Sequence, residues 1–142
     1  MHAEDERPRA IRIFIVDPHP LAREGLAVLL TQKGFAICGE ADNCTEALRG
    51  ILRTRPDVAM IDIHLGGSNG MELIGEIKRA APDIPVLVCT MAAGSLSVER
   101  AIEAGARGYI TKQEASRTAF AAVKEILAGG VFFDEEVLRG GR

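Results

Sequence analysis

Four polar residues each stand at the carboxyl end of an apolar run. Asp17 closes IRIFIV (11–16), Asp62 sits near the end of VAMIDI (58–63), Thr90 ends VLVCT (86–90) and Lys112 follows GYIT (108–111). Polar residues often end strands, so any one of these alone reads as a stop signal. Four at one edge form a set whose chemistry is phosphoryl transfer. A carboxylate can attack phosphorus and form an acyl phosphate. A hard cation such as Mg²⁺, held by carboxylates and a carbonyl, would neutralise the phosphoryl oxygens. A hydroxyl and an ammonium would contact the remaining ones. Asp62 is the preferred nucleophile. Its run Val-Ala-Met-Ile would hold it rigidly near the sheet centre, and the glycine-rich HLGGSNG (64–70) leaves it accessible.

The elements that position these residues follow from periodicity. Each of five apolar runs is followed by a stretch with helical spacing. After 11–16, Leu21, Leu26, Leu29 and Leu30 mark one face of a helix that stops near Gly34. After FAICGEA (35–41), Asn43 with Glu46 forms a capping box, and Ala47, Leu48, Ile51 and Leu52 form the buried stripe. Pro56 separates that helix from the third run. Leu73, Ile74 and Ile77 face inward on the next helix, then Val98, Ala101 and Ile102, then Ala119, Phe120, Val123, Ile126 and Leu127 before Gly129 and Gly130. Strands that read as continuous apolar runs are buried on both faces, and crossover helices imply a parallel sheet covered on two sides. The expected fold is α/β: a flavodoxin-like, doubly wound, five-stranded parallel sheet with five helices. Ligands of such sheets bind beyond the carboxyl ends of the strands, where the four polar residues stand.

Composition narrows the class. The 142 residues fit one domain, 47% hydrophobic and 26% charged, with a net charge of −3 that gives no electrostatic basis for nucleic-acid contact by this chain. No apolar stretch is long enough to span a bilayer. The start, MHAEDERPRA, lacks the apolar core of a signal peptide and reads as a disordered lead-in over 1–9. Cys38, Cys44 and Cys89 form no CxxC pair, which fits reduced thiols in a cytoplasmic protein. The domain is expected over 10–130. The segment 131–142 reads as the start of a linker or a C-terminal tail, with a turn from Asp134 through Leu138.

The stretches IFIVDPHPLAREGL, VAMIDIHLGGSNGMELI, VLVCT and AIEAGARGYITK, in this order, resemble the receiver domain of bacterial two-component response regulators over about residues 10–130. The flavour is that of NarL/FixJ regulators with a LuxR-type output, and the fold implied is CheY-like. The resemblance implies that Asp62 accepts a phosphoryl group from a sensor histidine kinase or a phosphotransfer protein. Thr90 and Lys112 would contact that group, and Tyr109 matches the switch aromatic. On phosphorylation Thr90 would move toward the phosphate and Tyr109 would turn inward. The face built by the fourth helix, fifth strand and fifth helix would change, and it is the expected homodimer face. No turnover enzyme is implied beyond self-catalysed phosphorylation and dephosphorylation. No helix-turn-helix follows Gly130, so the chain reads either as a stand-alone receiver or, as the NarL-type flavour implies, as the receiver part of a DNA-binding transcriptional regulator.

The chain departs from the family at the metal site. The family usually ends its first strand in two acids, and the resemblance places the direct ligand of Mg²⁺ at the second. Here that position is Pro18, which has neither a carboxylate nor a backbone N–H. Asp17 matches the first acid, and His64 would offer its backbone carbonyl. A weakened Mg²⁺ site built from Asp17, Asp62 and the His64 carbonyl is therefore expected. His19 is expected to help start the first helix beside Pro20. Gly66 replaces a proline that the family often carries. The alternative is an atypical receiver that acts as a phosphorylation-independent interaction module. An aspartate-based phosphohydrolase would need a second aspartate where His64 stands. A flavin-binding reading has no tryptophan and one tyrosine to stack on the ring.

Overall fold

The runs at 13–16, 58–61 and 86–89 offer no face suited to water, and all three become part of central strands of one sheet. The computed structural model describes residues 9–65, 68–91, 95–133 and 137. Its strands are β1 (Arg12–Val16), β2 (Ala36–Ala41), β3 (Val58–Ile61), β4 (Val86–Thr90), β5 (Gly108–Thr111) and β6 (Phe132–Phe133). They pair in the order β2-β1-β3-β4-β5-β6, every pair parallel. Five helices connect them: α1 (Pro20–Gln32), α2 (Cys44–Thr54), α3 (Gly70–Ala80), α4 (Ser95–Ala104) and α5 (Ala115–Leu127).

Side-chain alternation along the strands builds two cores. Phe14 and Val16 point into a layer with Ala47 and Ile51 of α2, Leu73, Ile74 and Ile77 of α3, and Ala101 of α4. Ile13 and Ile15 point the other way, toward Leu26 and Leu30 of α1 and Ala119, Val123 and Ile126 of α5. The doubly wound fold expected from the strand and helix pattern is thus the observed one. The strand order reverses around β1, which has β2 on one side and β3 on the other. Asp17 and Asp62 lie beyond the ends of this central pair.

Several details differ from the sequence expectation. Leu21 is 83% exposed, and Ile102, Phe120 and Leu127 also reach solvent, so the apolar stripes of α1, α4 and α5 are narrower than expected. β3 ends at Ile61, before Asp62. Within the expected loop 64–70, His64–Leu65 and Ser68–Asn69 pair antiparallel. Asn69 then caps α3, accepting from the N–H groups of Met71 and Glu72. Gly70 follows because a Cβ there would lie 2.5 Å from the Ile63 Cα.

The sixth strand was not expected. Phe132 donates its N–H to the Arg107 carbonyl at 3.0 Å, and Phe133 stands in register with Tyr109. A Cβ on Gly108 would meet the Phe132 carbonyl at 2.9 Å, so glycine permits this close pairing. Val137 is buried in the same core layer as Tyr109. Part of the segment expected to be a linker is therefore packed on the sheet. The lead-in 1–8, Gly66, Gly67, residues 134–136 and residues 138–142, with most of the expected Asp134–Leu138 turn, lie outside the described residues.

Candidate functional site

The backbone of β1 and β3 places the two carboxylates. Asp17 donates its N–H to the Ala41 carbonyl at 3.0 Å, and Asp62 donates to the Val16 carbonyl at 2.9 Å. Each residue therefore extends the sheet hydrogen bonding by one step, and the side chains leave the sheet side by side. Each then accepts from the N–H two residues on. His19 donates to Asp17 Oδ1 and His64 to Asp62 Oδ1, both at 2.9 Å. The two turns match in form, and both carboxylates are almost wholly buried.

Thr90 Oγ1 donates to Asp62 Oδ1 at 2.9 Å. Lys112, on the turn after β5, reaches between the acids. Its Nζ lies 2.7 Å from Asp17 Oδ2 and 2.8 Å from Asp62 Oδ2. Among the described residues that ammonium is the only partner of Asp17 Oδ2. Burial works against the lysine charge, but Asp17 and Asp62 more than offset it and hold the pKa above the ordinary lysine value. Two buried carboxylates face one ammonium, so one negative charge is left over.

Tyr109 is fully buried beside this group. Burial, reinforced by the Asp62 charge, pushes its pKa to about 12, and a hydrogen bond with Ser97 opposes the rise. Tyr109 thus occupies the inward position. With β6 on its outer side, β5 is not a free edge in the region expected to form a dimer face.

All four residues read from the strand ends, Asp17, Asp62, Thr90 and Lys112, meet in one site. The His64 imidazole is exposed, and only its N–H engages Asp62. His19 sits at the N-cap of α1 without a side-chain capping bond, and its Nδ1 lies 3.4 Å from Asp17 Oδ1 instead. Sequence reasoning also missed Arg23, whose Nη1 donates to the Asp17 carbonyl at 2.7 Å and whose Nε meets Glu40. Its spacing of six residues from Asp17 places it one turn into α1, a weak signal at most. Ser97 was missed because its contact to Tyr109 depends on how α4 packs.

Residues 13–124 match the family described as response regulator receiver domain. The chain belongs to that family. This receiver is 37% identical over 128 residues to a putative transcriptional regulator of Pseudomonas aeruginosa, covering 90% of this chain and 62% of that protein. It is 34% identical to the DNA-binding transcriptional activator DevR/DosR of Mycobacterium tuberculosis, covering 87% of this chain and 58% of that protein. The receiver thus spans about 60% of the length of these curated relatives. A LuxR-family two-component response regulator from Aurantimonas sp. SI85-9A1 superposes with a TM-score of 0.88 at 34% identity, covering 94% of this chain and 96% of that one. The receiver domain of a NarL response regulator from Mycobacterium tuberculosis gives 0.80 at 28% identity, covering 86% and 99%. A response regulator receiver is a two-component signalling domain. Among the described residues no helix is long and apolar enough to cross a membrane.

Proposed function

We propose that this receiver is a phosphorylation switch with Asp62 as the phosphoacceptor. The observation that carries the reading is the convergence of Thr90 and Lys112 on the Asp62 carboxylate, within 2.9 Å. A carboxylate oxygen of Asp62 attacks the phosphorus of a phosphohistidine on a sensor kinase or phosphotransfer protein. The P–N bond breaks, and the imidazole leaves with the electron pair and is protonated. Lys112 offsets charge on the phosphoryl oxygens, and Thr90 donates to one of them. Tyr109, packed beside Asp62, carries the change to the surface around α4 and α5.

The donor set fits Mg²⁺. Asp17 and Asp62 bring carboxylate oxygens within 4.8 Å of each other and leave one negative charge unbalanced by Lys112. The His64 backbone carbonyl would be a third oxygen donor. Bound Mg²⁺ supplies charge neutralisation for the phosphoryl oxygens. Pro18 takes the place of the second of two acids that the family usually carries at the end of β1, so the site is weaker than one that keeps both beside Asp62.

The domain spans about residues 10–130, with β6 as an addition from the tail. Its partners are a histidine kinase or phosphotransfer protein and a second response regulator copy. The relatives named above support a transcription-regulating output in the whole protein, located in the cytoplasm. The phosphorylation-independent reading is not favoured, because the phosphoryl-handling residues are all present and assembled.

The test is intact-mass spectrometry after incubation with acetyl phosphate, with Mg²⁺ or with chelator. A gain of one phosphoryl mass that needs Mg²⁺, vanishes in Asp62→Asn and grows in Pro18→Asp is expected. No gain in wild type under any condition would overturn the switch.

A further inference from the structure

The stretch Asp17-Pro18-His19-Pro20 leaves the metal site one carboxylate short and puts an imidazole next to the gap. His19 Nδ1 lies 3.4 Å from Asp17 Oδ1. One oxygen of Asp17, one oxygen of Asp62 and a ring nitrogen of His19 all lie within 4.8 Å of one another. Around an octahedral cation with bonds of about 2.1 Å, adjacent ligands stand about 3 Å apart and opposite ones about 4.2 Å. The 3.4 Å between His19 Nδ1 and Asp17 Oδ1 already stands near the adjacent-ligand spacing.

Four further observations favour a ligand role. The imidazole is not engaged in capping α1, although His19 is the N-cap residue. Pro18 and Pro20 flank it, and the His19 N–H is tied to Asp17 Oδ1 at 2.9 Å, so the backbone that presents the ring is held on both sides. The ring also stands on Asp17 Oδ1, away from the Oδ2 that meets Lys112, so ammonium and imidazole do not compete for one oxygen. Finally, two buried carboxylates against one ammonium leave a negative charge at this spot. An imidazole that is 66% exposed has solvent available, yet it lies against that charge.

We propose that His19 is a third side-chain ligand of the divalent-cation site, replacing the acid that Pro18 removes and shifting the preference from Mg²⁺ toward Mn²⁺. The proposal rests on reading Asp17 and Asp62 as the cation site. Mg²⁺ holds to oxygen, whereas an added imidazole favours first-row transition cations; among these, Mn²⁺ is also at home with carboxylate and carbonyl oxygens, which suits two carboxylates and one imidazole.

The full chain is titrated with Mn²⁺ by EPR and with Mg²⁺ by calorimetry, and the Mn²⁺-loaded protein is examined by pulsed EPR for imidazole-nitrogen coupling. Wild type should show the coupling. His19→Ala should lose it and bind Mn²⁺ about tenfold or more weakly, while its Mg²⁺ affinity changes far less. His64→Ala and His2→Ala should keep it, which assigns the nitrogen to His19. Pro18→Asp should bring the Mg²⁺ and Mn²⁺ affinities closer together. Bound Mn²⁺ without nitrogen coupling, or with equal affinity in His19→Ala, overturns the role of His19 and leaves the carboxylate site standing. Wild type that binds neither metal overturns both. Because His19 is exposed, the alanine variant keeps its fold, which circular dichroism confirms.

Discussion

Replacing Lys112 with methionine removes the single cation between two buried acids while keeping most of the side-chain volume. Asp17 and Asp62 then face each other with oxygens no more than 4.8 Å apart. At an effective dielectric constant of about 20, two unit charges at that separation repel by about 3 kcal/mol. Loss of one partner from a buried ion pair typically costs about 3–5 kcal/mol. Lys112→Met should therefore lose about 3–5 kcal/mol of unfolding free energy near neutral pH, measured by urea denaturation. Adding Asp17→Asn in the Lys112→Met background should restore about 3 kcal/mol, a gain that wild type does not show because Lys112 already offsets the repulsion. A Lys112→Met protein as stable as wild type would refute the claim that the ammonium holds the two acids together.

Other outcomes follow from the same geometry. Tyr109 is the only tyrosine, and the chain has no tryptophan, so tyrosinate absorbance reports this one group. Its alkaline midpoint should lie near 12. A raised folded pKa means that the associated stability is intact below the unfolded value of about 10 and is lost as the pH climbs through the folded value, by at most about 3 kcal/mol. A midpoint near 10 with the protein still folded would contradict the burial of Tyr109. Gly70→Ala should lose about 1–3 kcal/mol in thermal or urea unfolding, because the added methyl meets the Ile63 backbone rather than a side chain that could turn away. An unchanged midpoint would show that the 62–70 segment yields freely.

The strands were readable because buried parallel strands must be apolar on both faces, and 13–16, 58–61 and 86–89 are. Asp17, Asp62, Thr90 and Lys112 were readable as a set because a parallel sheet brings the carboxyl ends of its strands to one edge. Periodicity failed where an apolar residue has the right spacing but no neighbour to cover it, as at Leu21 on the solvent side of α1. β6 left no signal, because two phenylalanines after a helix look the same in a linker as in an edge strand. Contacts such as Ser97 with Tyr109, or the His19 ring folded back on Asp17, depend on rotamers chosen by tertiary packing. The substitution at Pro18 was plain in the chain, but the neighbour able to compensate for it was visible only in three dimensions.

The sixth strand bears on how this protein behaves when cut or redesigned. An open sheet ends in strands whose outward N–H and C=O groups can pair with any passing chain, and β5 would be such an edge, its Gly108, Tyr109 and Ile110 offering little charge to discourage association. Phe132 and Phe133 occupy that edge, and Val137 adds apolar cover. A receiver trimmed at Gly130 on the pattern of five strands would expose this edge and become prone to self-association. A soluble recombinant fragment should therefore carry the chain past Val137.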